Sequence, residues 1–296
     1  MPNDLQSDGE GAEEVQAVAM IASLDSLAHR VDFDGIHCPV RWRIWGTGPR
    51  LILLHGNGGS WLHWFANIPE LARSFQVMVP DIPGFGDSGL PPEPHDCRTL
   101  AAEIYASAAS LIPEDESVAI VGFSMGASIA AMLAVELGSR LVSLVLIGAG
   151  RGFGLASTSP TLQRWRHHTG RAARRAAHSY NVQSLMVGPL KRAVPLAEEI
   201  QARGNEAIRA RFRRDEYGNS LHTVLCQLAC EIVAIWGEED AVMQGHRDVR
   251  ATYFRSAGAQ VCFLPNAGHW AQFDVPETVN ELLINALATS FANHVS

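Results

Sequence analysis

The sequence has few of the features that mark disulfide-stabilised, metal-binding or membrane-spanning proteins. Its five cysteines are an odd number spread along 296 residues, which argues against a disulfide scaffold. Cys226 and Cys230 lie four positions apart without other ligand types nearby, so we interpret them as buried apolar side chains and expect no metal and no cofactor. No apolar run approaches the roughly 18 residues of a transmembrane helix. The acidic N-terminus lacks the basic start and apolar core of a signal peptide, which predicts a cytoplasmic protein without membrane contact.

Charge is sparse and unevenly distributed. Charged residues make up 18% of the chain, and the net charge is −8. Residues 151–230 contain 13 Arg and Lys residues and 5 Asp and Glu residues, whereas the rest of the chain contains 10 and 26. An acidic protein whose basic residues are not interleaved with aromatic residues is not expected to bind nucleic acid. The basic segment can attract an anionic small-molecule substrate, although solvated helix faces explain the same arginines.

The most informative stretch is residues 118–133, in which an apolar, β-branched run is followed by an alanine-rich helical run. The two runs are joined by a Gly-x-Ser-x-Gly sequence centred on Ser124. A serine on a sharp strand-to-helix turn needs Gly122 and Gly126 beside it, because a Cβ at either position would collide as the helix turns back over the strand. The pattern therefore predicts a nucleophile elbow that presents the Ser124 hydroxyl at the C-terminal edge of a sheet.

Two downstream loops contain candidate partners for this serine. Asp240 follows a predicted apolar strand and precedes an apolar tripeptide that would bury its side chain. We therefore prefer Asp240 to Glu238 and Glu239 as the acid that orients a histidine. Among twelve histidines, His269 combines a loop after a predicted strand, a preceding glycine and a position beyond both other candidates. The order nucleophile, acid, base predicts a Ser-His-Asp triad of Ser124, Asp240 and His269.

A glycine-rich loop at residues 55–61 follows the predicted strand of residues 51–54. Its three glycines let the backbone approach another group closely and turn amides toward it. We predict that the backbone amides of Asn57 and Met125 form an oxyanion hole for a tetrahedral intermediate. His55 is interpreted as a hydrogen-bonded residue that braces the loop.

Predicted strands and helices alternate on both sides of the elbow, which indicates a mostly parallel sheet covered on both faces. Residues 151–229 break this alternation, with helical patterns over residues 162–179, 196–202 and 205–212 but no buried strand. Such an insertion at the C-terminal edge of the sheet would cover Ser124 as a helical cap. The predicted organisation is an N-terminal tail with a short helix (1–29), an α/β core (30–150 and 230–296) and a cap (151–229).

Substrate-binding residues are harder to predict, because core packing explains the same apolar side chains. Asp81 and Asp87 lie in a loop rich in proline and glycine, and we interpret them as bonding to their own backbone rather than as catalytic. The remaining candidates lie beside the motifs or in the predicted cap, and most are aromatic. They are Gly56, Trp61, Phe123, Trp165 and Trp270.

Together, these motifs resemble the α/β-hydrolase superfamily over roughly residues 30–292. The resemblance depends on His-Gly-x-Gly after a strand, Asp-x-Pro-Gly-Phe-Gly-x-Ser, Gly-x-Ser-Met-Gly, Gly-x-x-Asp and Gly-His. It implies a mostly parallel, twisted sheet with helices on both faces and an inserted helical cap. Haloalkane dehalogenases and epoxide hydrolases also look similar, but they use an aspartate nucleophile where this chain has Ser124.

Residues 268–272, Gly-His-Trp-Ala-Gln, are similar to the end of the meta-cleavage-product hydrolases, which split carbon–carbon bonds of ring-fission dienoic acids. The chain departs from those enzymes in two places. It has Phe123 where they usually carry Asn before the nucleophile, and its loop around Asn57 is less glycine-rich.

The sequence-based expectation is a serine hydrolase that cleaves a carboxylic ester of a small, ring-bearing substrate through an acyl-enzyme. Carbon–carbon bond hydrolysis of a ring-fission product is the first alternative, and a non-catalytic binding protein on the same scaffold is the second. Acyl transfer would use the same groups. The sequence leaves open the acyl group, the leaving group and the oligomeric state, for which a homodimer is one option.

Overall fold

A computed structural model describes residues 4–149, 160–191, 195–212, 218–243 and 245–295. In these ranges the chain forms an eight-stranded sheet with the order β1-β2-β4-β3-β5-β6-β7-β8. The two β2 pairings, with β1 and β4, are antiparallel, and the others are parallel. The strands are β1 (His29–Asp34), β2 (Pro39–Trp45), β3 (Arg50–Leu54), β4 (Gln76–Pro80), β5 (Val118–Phe123), β6 (Leu141–Ile147), β7 (Glu231–Gly237) and β8 (Gln260–Leu264).

Helices cover both faces of this sheet. They are α1 (Asp4–Ser26), α2 (Ile68–Leu71), α3 (Cys97–Ala108), α4 (Met125–Leu137), α5 (Arg171–Asn181), α6 (Pro195–Glu206), α7 (Gly218–Gln227), α8 (Arg247–Ser256), α9 (Ala271–Asp274) and α10 (Pro276–Val295). The start of α3 illustrates how the sequence sets these bounds, because Asp96 and Thr99 form a reciprocal capping box there. Within the described ranges, no helix combines the length and apolarity needed to cross a bilayer.

The central strands are apolar because both of their faces are buried. Every residue of β5 and of β6 is buried. Neighbouring side chains on a strand point to opposite faces, so Ile120 belongs to the cluster beneath α3 and α4 whereas Val121 belongs to the cluster beneath α10. The predicted α/β-hydrolase architecture, a mostly parallel sheet between helical layers, is confirmed.

The chain between β6 and β7, residues 148–230, is here called the β6–β7 segment. It contains α5, α6 and α7. The prediction of helix from residue 162 is wrong, because α5 begins only at Arg171 after Gly170, which has φ of 86°. The prediction of helix over residues 205–212 is also wrong: α6 ends at Glu206, and Phe212 forms an isolated bridge with His95.

Two further predictions need correction. The N-terminal helix is longer than expected, since α1 begins at Asp4 and packs against α6. Cys226 is exposed on α7 rather than buried, and Cys230 is half-buried just beyond the end of that helix. All five cysteines are free thiols.

Candidate active site

Ser124 lies at the turn between β5 and α4 with φ of 53° and ψ of −112°, a backbone conformation that side-chain-bearing residues rarely adopt. The two flanking glycines make this turn possible. A Cβ on Gly122 would lie 2.4 Å from the Gly126 carbonyl oxygen, and one on Gly126 would lie 2.4 Å from the His55 carbonyl oxygen. The Ser124 amide donates to the carbonyl of Ile147 at 2.8 Å, which ties the turn to the end of β6.

The structure brings Ser124, His269 and Asp240 into one hydrogen-bonded series. Ser124 Oγ is 3.0 Å from His269 Nε2, and His269 Nδ1 is 2.9 Å from Asp240 Oδ2. The Asp240 carboxylate can only accept, so Nδ1 carries the proton and Nε2 is free to accept from the serine hydroxyl. His269 and Asp240 are buried, whereas Ser124 is partly exposed. His269 follows β8, Asp240 follows β7 and Ser124 follows β5. The carboxyl ends of these three strands share one edge of the sheet.

The ring of His269 is packed as well as hydrogen-bonded. Its centroid lies 5.1 Å from that of Phe123, and a Cβ on Gly148 would lie 3.1 Å from its Cε1 atom. The second oxygen of Asp240 accepts from the Val242 amide at 2.8 Å. These contacts hold the imidazole and the carboxylate in one orientation.

The Asp240 loop is further supported by Arg250, a buried residue on α8. Its Nη2 donates to the Val242 carbonyl at 2.8 Å. Burial lowers the pKa of Arg250, and the negative charge of Asp240 opposes that shift. Sequence reasoning missed this residue, since an arginine on an amphipathic helix gives no sign that its side chain is buried.

The glycine-rich loop after β3 is held by His63. The Gly56 amide donates to His63 Nδ1 at 3.1 Å, so Nε2 carries the proton and donates to Gln201 Oε1 at 3.2 Å. Gln201, on α6, also donates to the Gly58 carbonyl at 2.9 Å. Burial lowers the pKa of His63 to about 3, which keeps the ring neutral. A Cβ on Gly204 would lie 2.2 Å from the Gly58 oxygen, so α6 contacts this loop directly.

His55 braces the same loop, as the sequence predicts. Its Nδ1 donates to the Gly56 carbonyl at 2.9 Å, and its Nε2 accepts from the Ile82 amide at 2.9 Å. Burial lowers the pKa of His55. The backbone amide of Asn57 lies in this loop, and that of Met125 directly follows Ser124 in the elbow. In the described part of the chain, neither amide donates a hydrogen bond to another residue.

The Asp81 carboxylate bonds to the backbone, as expected, but the Asp87 carboxylate does not: the prediction is wrong for Asp87, whose carboxylate binds a side chain that the sequence did not indicate. Asp81 accepts from the amides of Trp61 and Asp87 at 2.8 and 3.0 Å. Both carboxylates bind the buried guanidinium of Arg43, at 3.0 and 2.6 Å. Arg43 also binds Asp25 at 2.8 Å, which fastens the end of α1 to the sheet.

The predicted substrate-binding residues fall into two groups: one is Gly56 with Phe123, and the other is the three tryptophans. Gly56 and Phe123 lie beside the elbow: a Cβ on Gly56 would lie 3.0 Å from the Phe123 ring and 3.2 Å from Ser124 Cβ. Trp270 is fully buried and stacks on Phe273 with 4.3 Å between ring centroids, so it offers a ligand no surface in this conformation.

The other two tryptophans contact residues outside the hydrogen-bonded series. Trp61 is almost fully buried against Trp45 and the guanidinium of Arg43. Trp165 is half-buried in a short 3-10 helix and packs against the ring of His178 of α5, with 4.9 Å between centroids and the ring planes tilted by 39°. Neither contact supports a role in holding substrate at Ser124.

Several arginines of the β6–β7 segment have partners within the protein. Arg171 and Arg175 bind Glu14 of α1. Arg174 donates to the His168 carbonyl at 3.1 Å, and Arg209 donates to the carbonyl of Gly86 at 3.0 Å. These contacts favour a structural interpretation of these four side chains over recognition of an anion.

Residues 51–282 match the model of the Alpha/beta hydrolase family. A relative with 85% of this chain aligned is 2-hydroxymuconate semialdehyde hydrolase of Pseudomonas sp. strain CF600, which is 26% identical over 91% of its own length. The pimeloyl-[acyl-carrier protein] methyl ester esterase of Aeromonas hydrophila is 30% identical over 57% of this chain and 60% of its own. Among solved structures, carboxylesterase CesB of Bacillus subtilis superposes with a TM-score of 0.70 at 17% identity, covering 93% of this chain and 98% of its own.

The chain is also similar to the dihydrolipoyllysine-residue acetyltransferase component of the acetoin cleaving system of Pseudomonas putida, with 28% identity over 80% of this chain. It spans only 63% of the length of that relative. The family match extends from β3 into α10 and includes all three residues of the hydrogen-bonded series. The chain therefore belongs to the alpha/beta hydrolase family.

Proposed function

We propose that this hydrolase cleaves carboxylic esters through an acyl-enzyme formed on Ser124. The observation that carries the proposal is the unbroken series of two hydrogen bonds, 3.0 and 2.9 Å long, from Ser124 Oγ through the His269 imidazole to Asp240. A serine hydroxyl is a weak nucleophile by itself, and a base within hydrogen-bond reach that is oriented by a third group activates it.

In the first half of the reaction, His269 Nε2 takes the proton of the Ser124 hydroxyl while Oγ attacks the ester carbonyl carbon. Asp240 stabilises the imidazolium that forms. The carbonyl oxygen becomes an oxyanion, and the amides of Asn57 and Met125 are the proposed donors to it. When the intermediate collapses, the bond to the alkoxy group breaks and Nε2 returns the proton to the leaving alcohol.

In the second half, water takes the place of the alcohol. His269 removes a proton from the water, the hydroxide attacks the acyl carbon, and the Ser124 oxygen leaves with the proton from Nε2. The carboxylic acid is released and the free serine is regenerated. The half-buried position of Ser124 beside buried His269 favours this chemistry, because electrostatic interactions are stronger where water is excluded.

The experiment is turnover of a panel of aryl and alkyl esters, with labelling of the enzyme by a fluorophosphonate probe. Ser124→Ala is expected to lower kcat on the order of 10⁶-fold and to abolish labelling. Ser128→Ala, one helical turn further along α4, is the matched control and should retain both. Substantial ester turnover by Ser124→Ala would refute the proposal. Absence of labelling in the wild-type protein would favour a non-catalytic binding role.

A second candidate function is hydrolysis of a carbon–carbon bond in a ring-fission product. It is supported by the 2-hydroxymuconate semialdehyde hydrolase relative, with which 85% of this chain aligns. The same serine and histidine would serve both reactions, so substrate preference separates them. Bleaching of a coloured ring-fission acid at a kcat/KM above that of every ester in the panel would replace the first proposal with this one.

A further inference from the structure

Asp274, the last residue of α9, connects two segments that are distant in sequence. Its carboxylate is almost fully buried. One oxygen, Oδ2, accepts hydrogen bonds from the amides of Gly188 and Gly268, both at 2.7 Å. Gly268 directly precedes His269, whereas Gly188 belongs to the β6–β7 segment. A single carboxylate oxygen therefore holds the histidine loop and the β6–β7 segment together.

The two segments also touch through their backbones. The Trp270 amide donates to the Met186 carbonyl at 2.7 Å. A Cβ on Gly268 would lie 2.7 Å from the Gly188 nitrogen, and a Cβ on Gly188 would lie 2.9 Å from the Gly268 nitrogen and from the Asn266 carbonyl oxygen. Residues 186–188 thus lie directly on residues 266–270, at a separation that only glycines permit.

His269 is consequently fixed on both sides of its own position in the chain. The amide before it, Gly268, donates to Asp274, and the amide after it, Trp270, donates to Met186. Hydrogen bonds to an ionised carboxylate are shorter and stronger than bonds between neutral groups, and a buried donor that loses its partner is costly. Of the two bonds that flank His269, the one from the Trp270 amide therefore depends directly on residues 186–188.

We propose that Asp274 is a positioning residue that couples docking of residues 186–188 to alignment of His269 Nε2 with Ser124 Oγ. The inference rests on the proposed function, since it assigns His269 the role of base. Moving residues 186–188 away breaks the Gly188 and Trp270 bonds together, which leaves the Gly268–Asp274 bond alone of the three to hold the His269 loop. A displacement of about 1 Å of a reacting group lowers rates about 10²-fold, so activation of Ser124 depends on the docked segment.

The test compares Asp274→Asn and Asp274→Ala with a matched control, Glu103→Gln. Glu103 on α3 is equally buried, and its Oε2 also accepts two backbone amides, Ile36 at 2.7 Å and His37 at 3.0 Å. Those bonds hold the β1–β2 turn. The control therefore weakens the same pair of bonds to backbone amides, together with the contact of Glu103 Oε1 to His37 Nδ1 at 2.6 Å, at a site away from His269.

We expect Asp274→Asn to lower kcat and the rate of fluorophosphonate labelling of Ser124 about tenfold, and Asp274→Ala to lower both about 10²-fold. KM should change less than kcat. Glu103→Gln should lower the melting temperature but keep wild-type kcat and labelling rate. All rates are measured at a temperature where circular dichroism shows each variant to be folded, so that lost stability alone cannot produce the result.

Equal labelling rates in Asp274→Ala and the wild-type protein would overturn the proposal, as would equal losses in Asp274→Asn and Glu103→Gln. If the Asp274 variants do not fold, Gly188→Ala provides the test, because its methyl group pushes residues 186–188 off the histidine loop while Asp274 stays intact. Full activity of Gly188→Ala would then overturn the inference. Failure of the proposed function is distinguishable, since the wild-type protein itself would not be labelled.

Discussion

The loops at the carboxyl ends of β3, β5, β7 and β8 and the β6–β7 segment meet at the same edge of the sheet, but they are held in different ways. The loops are fixed by buried hydrogen bonds, as between His269 and Asp240, and by close backbone contacts at the glycines beside Ser124. In the β6–β7 segment, α5 carries an exposed arginine, Arg171, and a half-buried one, Arg175, that pair with Glu14 of α1. The loops are the more rigid support for groups that must keep their geometry during a reaction.

Among the polar contacts that join the two regions in the described part of the chain, three lie close to the candidate site. Gln201 reaches Gly58 from α6, Met186 accepts from Trp270, and Gly188 donates to Asp274. If this comparison is correct, substitutions in the loops change the rate of reaction, whereas substitutions elsewhere in the β6–β7 segment change little. The exceptions should be the residues that make the joining contacts.

The largest effect after loss of Ser124 is expected for Asp240→Asn. An asparagine can present an N–H where the carboxylate accepted, which favours the wrong tautomer of His269, so kcat for ester hydrolysis should fall about 10⁴-fold. The matched control is Glu239→Gln, the adjacent exposed acid. Equal kcat values for the two variants would show that the acid of the triad has been assigned wrongly.

A smaller effect is expected for Gln201→Leu, which removes the side-chain hydrogen bonds between α6 and the glycine-rich loop. The Gly58 carbonyl and His63 Nε2 lose their partner, so the free energy of unfolding should fall by about 1–3 kcal/mol. If the loop supplies an oxyanion donor, kcat should also fall about tenfold. Gln183→Leu, whose side chain donates to the Ser179 hydroxyl, is the control within the same segment. Unchanged kcat in Gln201→Leu would argue against a joining role for this contact.

The histidine beneath that loop predicts a dependence of stability on pH. The pKa of His63 is lowered by burial from 6.5 to about 3, so the unfolded chain binds a proton in this range while the folded protein does not. The neutral His63 ring therefore makes its full contribution to the free energy of unfolding above pH 6.5. As the pH falls from 6.5 toward 3, that free energy decreases by about 1.4 kcal/mol per pH unit. His63→Asn should show a shallower fall in unfolding free energy between pH 6 and 4, measured by urea denaturation. An unchanged slope would contradict the neutral state assigned to this ring.

Much of the fold could be predicted from the sequence, because the inner strands are buried on both faces and appear as continuous apolar runs. β5 and β6 are clear examples. β1 could not be predicted in this way. Its side chains at His29, Arg30 and Asp32 are exposed at the edge of the sheet, and it becomes a strand only through pairing with β2.

The same distinction applies to the candidate site. Ser124 is marked by a local glycine spacing, so its turn could be predicted from five consecutive residues. Gln201 and Asp274 make contacts with residues 143 and 86 positions away, and nothing near either residue indicates its partner. The predicted start of α5 is wrong for a related reason. Residues 162–170 include polar residues that are compatible with a helix, but the positive φ of Gly170 separates them from α5.

The smallest effect is expected where α1 meets the β6–β7 segment. Glu14 pairs with Arg171 and Arg175, whose side chains are 84% and 37% exposed, so Glu14→Gln should lower the free energy of unfolding by less than about 1 kcal/mol and leave kcat unchanged. Asp25→Asn, near the other end of the same helix, is the informative contrast. It removes a carboxylate from the guanidinium of Arg43, which is only 5% exposed, and should cost about 1–3 kcal/mol. If Glu14→Gln is the more destabilising of the two in urea denaturation, the β6–β7 segment is held by its surface ion pairs, and the contrast with the loops is wrong.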